Sequence, residues 1–158
     1  MMAEKLLQLA RAQGVMIATA ESCTAGLIAG AITEIAGSSA IFERGFVTYS
    51  NLAKREMLGV RAETLLAVGA VSEQVAREMA EGALSRSRAR LAVAVTGIAG
   101  PGGSEFKPEG RVCFGLAQIG AATVTETRDF GAIGRSEVRR ATVDRALQML
   151  ITRLAETV

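Results

Sequence analysis

Hydrophobic and polar positions along this chain fall into short blocks that switch between the periods of helix and strand. Glu4 to Gln13 carries its apolar residues on one helical face and is stopped by Gly14. Val15 to Ala20 is a short β-rich run of the kind buried within a sheet. The spacing then predicts a helix over Thr24 to Ile35, an alternating strand over Arg44 to Ser50, and a short helix over Asn51 to Leu58. A long helix follows over Ser72 to Arg88, with Ser72 as its cap, and Leu91 to Thr96 is another buried strand. Beyond a loop of glycine and proline, Arg111 to Ile119 and Thr123 to Phe130 form a hairpin, and Arg135 to Thr157 closes the chain as one long helix.

Strands that alternate with helices early and pair as a hairpin late predict a mixed sheet of about five strands, parallel first and antiparallel at one side. With helices on both faces, the fold class is α/β, a three-layer α/β/α sandwich. The 158 residues fit a single domain, 1–158, with no internal repeat, low-complexity tract or tether. At that size roughly 70% of the unfolded chain's surface can be buried. Hydrophobic residues make up 49% and aromatics only 4%, so the core must be built from Ala, Val, Leu and Ile, small enough to let helices sit close on the sheet.

Charge and cysteine usage narrow the function classes. A net charge of +2 is too small to argue for a nucleic-acid surface, yet it suits an anionic small ligand. No apolar stretch approaches the ~18 residues of a membrane span, and the early Glu4 is unlike a secretory signal, so a cytoplasmic protein with no membrane partner is expected. Two cysteines without a CxxC spacing imply neither a disulfide framework nor a structural metal. Cys113, within VCFGLAQI, reads as a buried strand residue. The chain has no histidine, which excludes Ser-His-Asp triads, Cys-His dyads and His-ligated zinc and leaves lysine as the obvious base.

Sites in such sheets collect at strand ends, and three of these are rich in small and polar residues: AESCTAG, TYSNLAK and TGIAGPGGS. In the first, Ser22 stands just before the helix expected from Thr24, where free N–H groups and a positive dipole end favour an oxyanion or a bound anion. The plainer alternative is that Ser22 or Thr24 caps that helix, and Cys23 is either a rival nucleophile or a small buried residue. In the second, Lys54 lies one turn inside a short helix capped by Ser50 or Asn51. The dipole and partial burial there both lower its pKa and free the amine as a base, although a solvated lysine is the ordinary alternative. Tyr49, the single tyrosine, is placed to relay a proton or hold the lysine.

The third loop, TGIAGPGGSEFKPEG, holds five glycines and both prolines within fifteen residues. It is neither a Walker loop nor a dinucleotide fingerprint, but its backbone can approach a ligand closely, or it is a plain crossover. At the start of the last helix, Arg135 and Arg139 share a face. This like-charge pair is relieved by a phosphate between them or is a solvated surface balanced by Glu137 and Asp129.

TAESCTAG, GFVTYSNLAK, LGV, GAVS and TGIAGPGGSEFKPEG, in this order and over nearly the whole length, resemble the CinA C-terminal domain family. The resemblance implies hydrolysis of the carboxamide of nicotinamide mononucleotide to nicotinic acid mononucleotide and ammonia, by a serine and lysine dyad without metal or cofactor. On that resemblance Ser22 is the nucleophile, Lys54 the base and Tyr49 the matching tyrosine. The substrate-holding positions fall on Glu21, Cys23, Thr24, Asn51, Thr96, Gly97, Gly100, Gly103 and the arginines Arg135, Arg139 and Arg140. Two positions depart from the family wording. Ala25 stands where ESCTGG has glycine and would narrow the pocket by a methyl group, and Glu109 stands in KPEG where KPVG is usual, near a loop expected to face an anion.

Many members carry a further N-terminal domain, whose activity is not assigned to this chain. The rival readings are a non-catalytic nucleotide-binding regulatory module and an amidase for another small amide. Aromatic residues to stack on a ring are scarce, with Phe42, Phe46 and Phe106 the nearest. Alanine- and glycine-rich helix faces suit a homo-oligomer.

Overall fold

The structure, a computed structural model, describes residues 1–156, so the expected helix end at Thr157 lies outside the described residues. Five strands form one sheet: β1 (Ile17–Glu21), β2 (Phe42–Val47), β3 (Leu91–Gly97), β4 (Arg111–Gln118) and β5 (Val124–Asp129), in the order β2-β1-β3-β4-β5. β1 runs parallel to both β2 and β3, whereas β4 is antiparallel to β3 and β5. The expected mixed sheet, parallel at one side and antiparallel at the other, is what forms.

Six helices cover it: α1 (Met2–Gln13), α2 (Leu27–Thr33), α3 (Asn51–Leu58), α4 (Ala62–Val68), α5 (Glu73–Ser85) and α6 (Arg135–Glu156). Successive strand side chains leave on opposite faces. β3 therefore sends Leu91, Val93 and Val95 into a core with α1, α2 and α6, through Leu6, Ile28 and Leu150. Its Ala92 and Ala94 join Ala18, Ala20 and Ala117 against Val75 and Met79 of α5 and Leu58 of α3. One face of the sheet is thus built from branched aliphatics and the other from methyl groups, and the second lets α5 lie very close. A Cβ added at Gly115 of β4 would overlap the carbonyl oxygen of Ala76, and one at Gly82 of α5 the carbonyl of Leu58.

The boundaries that differ from the sequence reading have local causes. α2 begins at Leu27 and not at Thr24, because Ala25 and Gly26 have φ of 47° and 101°, in the left-handed region that a helix cannot pass through. α4 was not expected. It has no fully buried residue, so no apolar face marks it in the sequence. The caps fall where polarity placed them: Ser50 accepts from the Ala53 N–H at 3.0 Å and Ser72 from the Val75 N–H at 3.2 Å.

The close seating of α5 gives a stability prediction. Gly115→Ala drives a methyl group into the α5 backbone and should lower unfolding free energy by about 1–3 kcal/mol in urea titration, as overpacking does. An unchanged midpoint would show that α5 moves away freely.

Candidate active site

Ser22 directly follows β1 and is fixed at the sheet end: its N–H donates to the carbonyl of Val95 on β3 at 3.1 Å. The neighbouring Glu21 carbonyl takes the Thr48 N–H at 2.9 Å, which draws the loop after β2 to the same edge. Lys54, on the first turns of α3, reaches back into this corner and is only 2% exposed. Its Nζ donates to Ser22 Oγ at 3.0 Å and to the Thr48 carbonyl at 3.2 Å. Burial disfavours the ammonium and lowers the Lys54 pKa, while the charges of Cys23 and Glu105 act in the opposite sense. Once neutral, the amine can accept the serine proton across the same contact.

The turn that carries Ser22 is braced from behind. The buried Glu21 carboxylate accepts from the Thr24 hydroxyl at 2.5 Å and from the N–H groups of Ile28 and Ala29 at 2.8 and 3.0 Å. The expectation that the free N–H groups of the following helix point at Ser22 is therefore corrected, because Glu21 already occupies the start of α2. Among the described residues, the N–H groups of Thr24 and Gly26, within the turn itself, have no protein acceptor. Arg139 of α6 ties the same turn from the other side, donating from Nε to the Cys23 carbonyl at 3.1 Å and from Nη2 to that of Thr24 at 3.5 Å. Cys23 is buried, and burial, helped by Glu21, outweighs its own backbone N–H and the nearby cations and pushes the thiol up to about 12. A neutral thiol is a poor nucleophile.

A cavity of about 360 Å³ opens over Ser22 and Lys54, with Tyr49 and Asn51 at its margin. Thr96, Gly97, Gly100 and Gly103 are all on its wall. The Thr96 hydroxyl is spent on the Ala70 carbonyl at 2.9 Å, so it fastens the wall to the turn between α4 and α5. Gly100 has a φ of 94°, which a residue with a Cβ resists. Arg135 crosses the mouth, donating to the Gly100 carbonyl at 2.6 Å and to the Tyr49 hydroxyl at 2.9 Å. Tyr49 is 60% exposed and is held by Arg135, whereas its expected partner was Lys54.

The expected substrate contacts thus divide. Ser22, Cys23, Lys54, Tyr49, Asn51, the loop glycines, Thr96 and Arg135 share the cavity. Glu21 and Thr24 are turned into the protein, Arg139 is engaged behind the turn, and the exposed Arg140 pairs with Glu137 at 3.5 Å. The arginine pair of the sequence reading does not form a shared cradle. Ala25 is exposed and off the cavity wall, so its methyl group does not narrow the pocket. Glu109 is off the wall too, and its carboxylate accepts the Gly102 N–H at 2.7 Å and braces the glycine loop from outside. Sequence reasoning missed Ala70, Val71 and Glu105 on the wall, although GAVS and SEF lie inside the segments it quoted. A larger groove of about 570 Å³ beside β4 and β5 includes side chains already paired with one another, such as Glu73 with Thr125 and Thr127.

The sequence matches the CinA C-terminal domain family over residues 1–154. It is 53% identical over 150 residues to the nicotinamide-nucleotide amidohydrolase PncC of Escherichia coli K12, covering 94% of this chain and 90% of that one. It is 60% identical over 121 residues to a CinA-like protein of Chlorobium phaeobacteroides, covering 75% of this chain but only 29% of that longer protein. Among solved structures, the competence/damage-inducible protein CihA of Agrobacterium tumefaciens superposes with a TM-score of 0.93 at 56% identity, covering 96% of this chain and 92% of that one.

The buried, neutral thiols lead to a labelling prediction. Both Cys23 and Cys113 have raised pKa values through burial, so iodoacetamide at pH 7.5 should leave them unmodified in native protein and label both after denaturation, as read by mass spectrometry. Rapid native labelling of Cys23 would show an activated thiolate and reopen its claim as nucleophile.

Proposed function

The chain belongs to the CinA C-terminal domain family, and from that premise we propose that it is a nicotinamide-nucleotide amidohydrolase that converts nicotinamide mononucleotide to nicotinic acid mononucleotide and ammonia through Ser22 and Lys54. The observation that carries this reading is the 3.0 Å contact between Lys54 Nζ and Ser22 Oγ at the floor of a cavity, in a chain without histidine. In the proposed sequence neutral Lys54 takes the hydroxyl proton as Ser22 Oγ attacks the carboxamide carbon, and turn N–H groups near Cys23 and Thr24 hold the oxyanion. The C–N bond then breaks, and Lys54 returns the proton to the departing nitrogen as ammonia. Water attacks the resulting ester as its proton passes to Lys54, the ester C–O bond breaks, and Lys54 returns that proton to Ser22 Oγ, releasing the carboxylic acid and restoring both groups. Arg135, at the mouth, is the proposed partner of the phosphate, with Tyr49 holding it in place.

The direct test is ammonia release from nicotinamide mononucleotide by purified protein in the presence of chelator. Turnover should survive chelation, and loss of activity restored by a divalent ion would refute the metal-free dyad. Ser22→Ala should lower the rate at least about 10³-fold while binding persists, and Cys23→Ala should keep most of it.

The lysine role is tested by pH. The Lys54 pKa is lowered from 10.5, so the neutral fraction, and with it kcat/KM, should rise with pH through a midpoint below the ordinary lysine value. Lys54→Arg keeps a cation that cannot deprotonate and should lose about 10²–10⁴-fold in rate together with that ascending limb. An arginine variant with near-normal turnover would remove lysine from the role of base.

A further inference from the structure

We infer that Glu105 is the residue by which this cavity selects a cationic, N-substituted pyridinium ring over a neutral ring of the same shape. The inference rests on the amidohydrolase reading above and adds to it the part of the substrate that carries the positive charge.

Glu105 lies on the wall of the cavity that holds Ser22 and Lys54. Among the described residues its carboxylate accepts no hydrogen bond and forms no ion pair. Lys107, two positions on, lies beside Gly69 but spends its ammonium on the carbonyls of Val68 at 2.6 Å and Val71 at 2.5 Å. Beside Glu105 the α4–α5 connection narrows to Gly69, and a Cβ there would overlap a Glu105 carboxylate oxygen. Glu105 is exposed at the cavity rim, with its carboxylate beside Gly69 and the Lys107 ammonium close to the same glycine but in no ion pair with Glu105. That Glu105 is near the reacting groups is also visible in its field, which opposes the lowered pKa of Lys54.

The backbone at this point is shaped to put it there. Glu105 and Phe106 have φ of 53° and 63°, both in the left-handed region, in a two-residue turn closed by Ser104 and Lys107 hydrogen bonds of 3.1 and 2.8 Å. Such turns favour Asn-Gly, and strained non-glycine residues of this kind cluster where a side chain has a task.

A second charge completes the argument. Arg135, held by the Gly100 carbonyl and the Tyr49 hydroxyl, gives the same cavity a cation. A cavity with an unpaired carboxylate and a separate guanidinium complements a ligand with a cationic ring and an anionic tail. A pyridinium nucleotide carries both. The nicotinamide ring loses its positive charge on reduction and keeps its carboxamide, ribose and phosphate, so the oxidised and reduced mononucleotides isolate the ring charge as the variable.

The test uses calorimetry on Ser22→Ala protein, in which no turnover consumes the ligand. With Glu105 present, oxidised nicotinamide mononucleotide should bind at least about tenfold more tightly than the reduced form. Adding Glu105→Gln should weaken the oxidised ligand about tenfold and leave the reduced one within about twofold. Equal weakening of both ligands would overturn the inference, since it would mean that Glu105 grips the carboxamide or shapes the turn. No weakening of either would overturn it as well. Unchanged melting temperature, and partial recovery in Glu105→Asp, would separate a charge effect from a folding defect. If neither ligand binds the Ser22→Ala protein, the functional reading falls and this inference falls with it. Equal loss on both ligands refutes the inference alone.

Discussion

The burial of one lysine against one serine is the constraint on which the rest of this structure depends. An ammonium taken out of water is costly unless its donors are satisfied, and Lys54 finds only two neutral acceptors, Ser22 Oγ and the Thr48 carbonyl. The shortage disfavours the ammonium and lowers the Lys54 pKa. Holding such a group in place requires rigid surroundings, and α3 supplies them at both ends: Ser50 caps its start, and Leu58 at its end packs against Gly82 of α5. The glycine and alanine face of the sheet is part of the same device, since α3 and α5 can press down only where side chains are small.

The two helical layers contribute different things to the one corner. From the α3 and α5 layer comes Lys54, the proposed base. From the opposite layer come the braces, with α2 anchored by Glu21 and α6 sending Arg139 to the carbonyls of Cys23 and Thr24. The turn that carries Ser22 is therefore clamped between layers at the carboxyl end of the parallel strands, where an α/β sheet opens a crevice.

The sequence alone made the sandwich, the mixed sheet and the caps legible, because periodicity and capping polarity are local. Ser22 and Lys54 were legible because the absence of histidine leaves few bases and because both sit in loops at strand ends. Directions of side chains were not. Glu21, Ser22, Cys23 and Thr24 are consecutive and all polar or small, yet Ser22 and Cys23 face the cavity while Glu21 and Thr24 turn inward, a division that alternation does not give and that the turn after β1 and the start of α2 impose. That beginning depends on the left-handed φ of Ala25, which is unusual for alanine and leaves no trace in the pattern. Arg139 and Arg135 share a helix face, and only the packing of α6 decides that one reaches the mouth and the other the back of the turn. Glu105 was passed over because the glycines around it drew the interpretation of that loop to its backbone.

Glu21 shows how a carboxylate can stand next to Ser22, the proposed nucleophile, without holding Lys54 charged. An Asp or Glu ion-paired with Lys54 would hold the amine charged and end its use as a proton acceptor. Glu21 precedes Ser22 in the chain, but its charge is taken up by a hydroxyl and two helix N–H groups on the far side of β1. The groups that do raise the Lys54 pKa are Cys23 and Glu105. Burial pushes the Cys23 thiol up to about 12, so at neutral pH Glu105 is the group whose field opposes the lowered Lys54 pKa. A substrate that brings its own positive charge to Glu105 would cancel that field at the moment of binding. Lys54 would then sit in a less negative environment in the complex than in the free protein, and its amine would be driven further toward the neutral form that accepts the Ser22 proton.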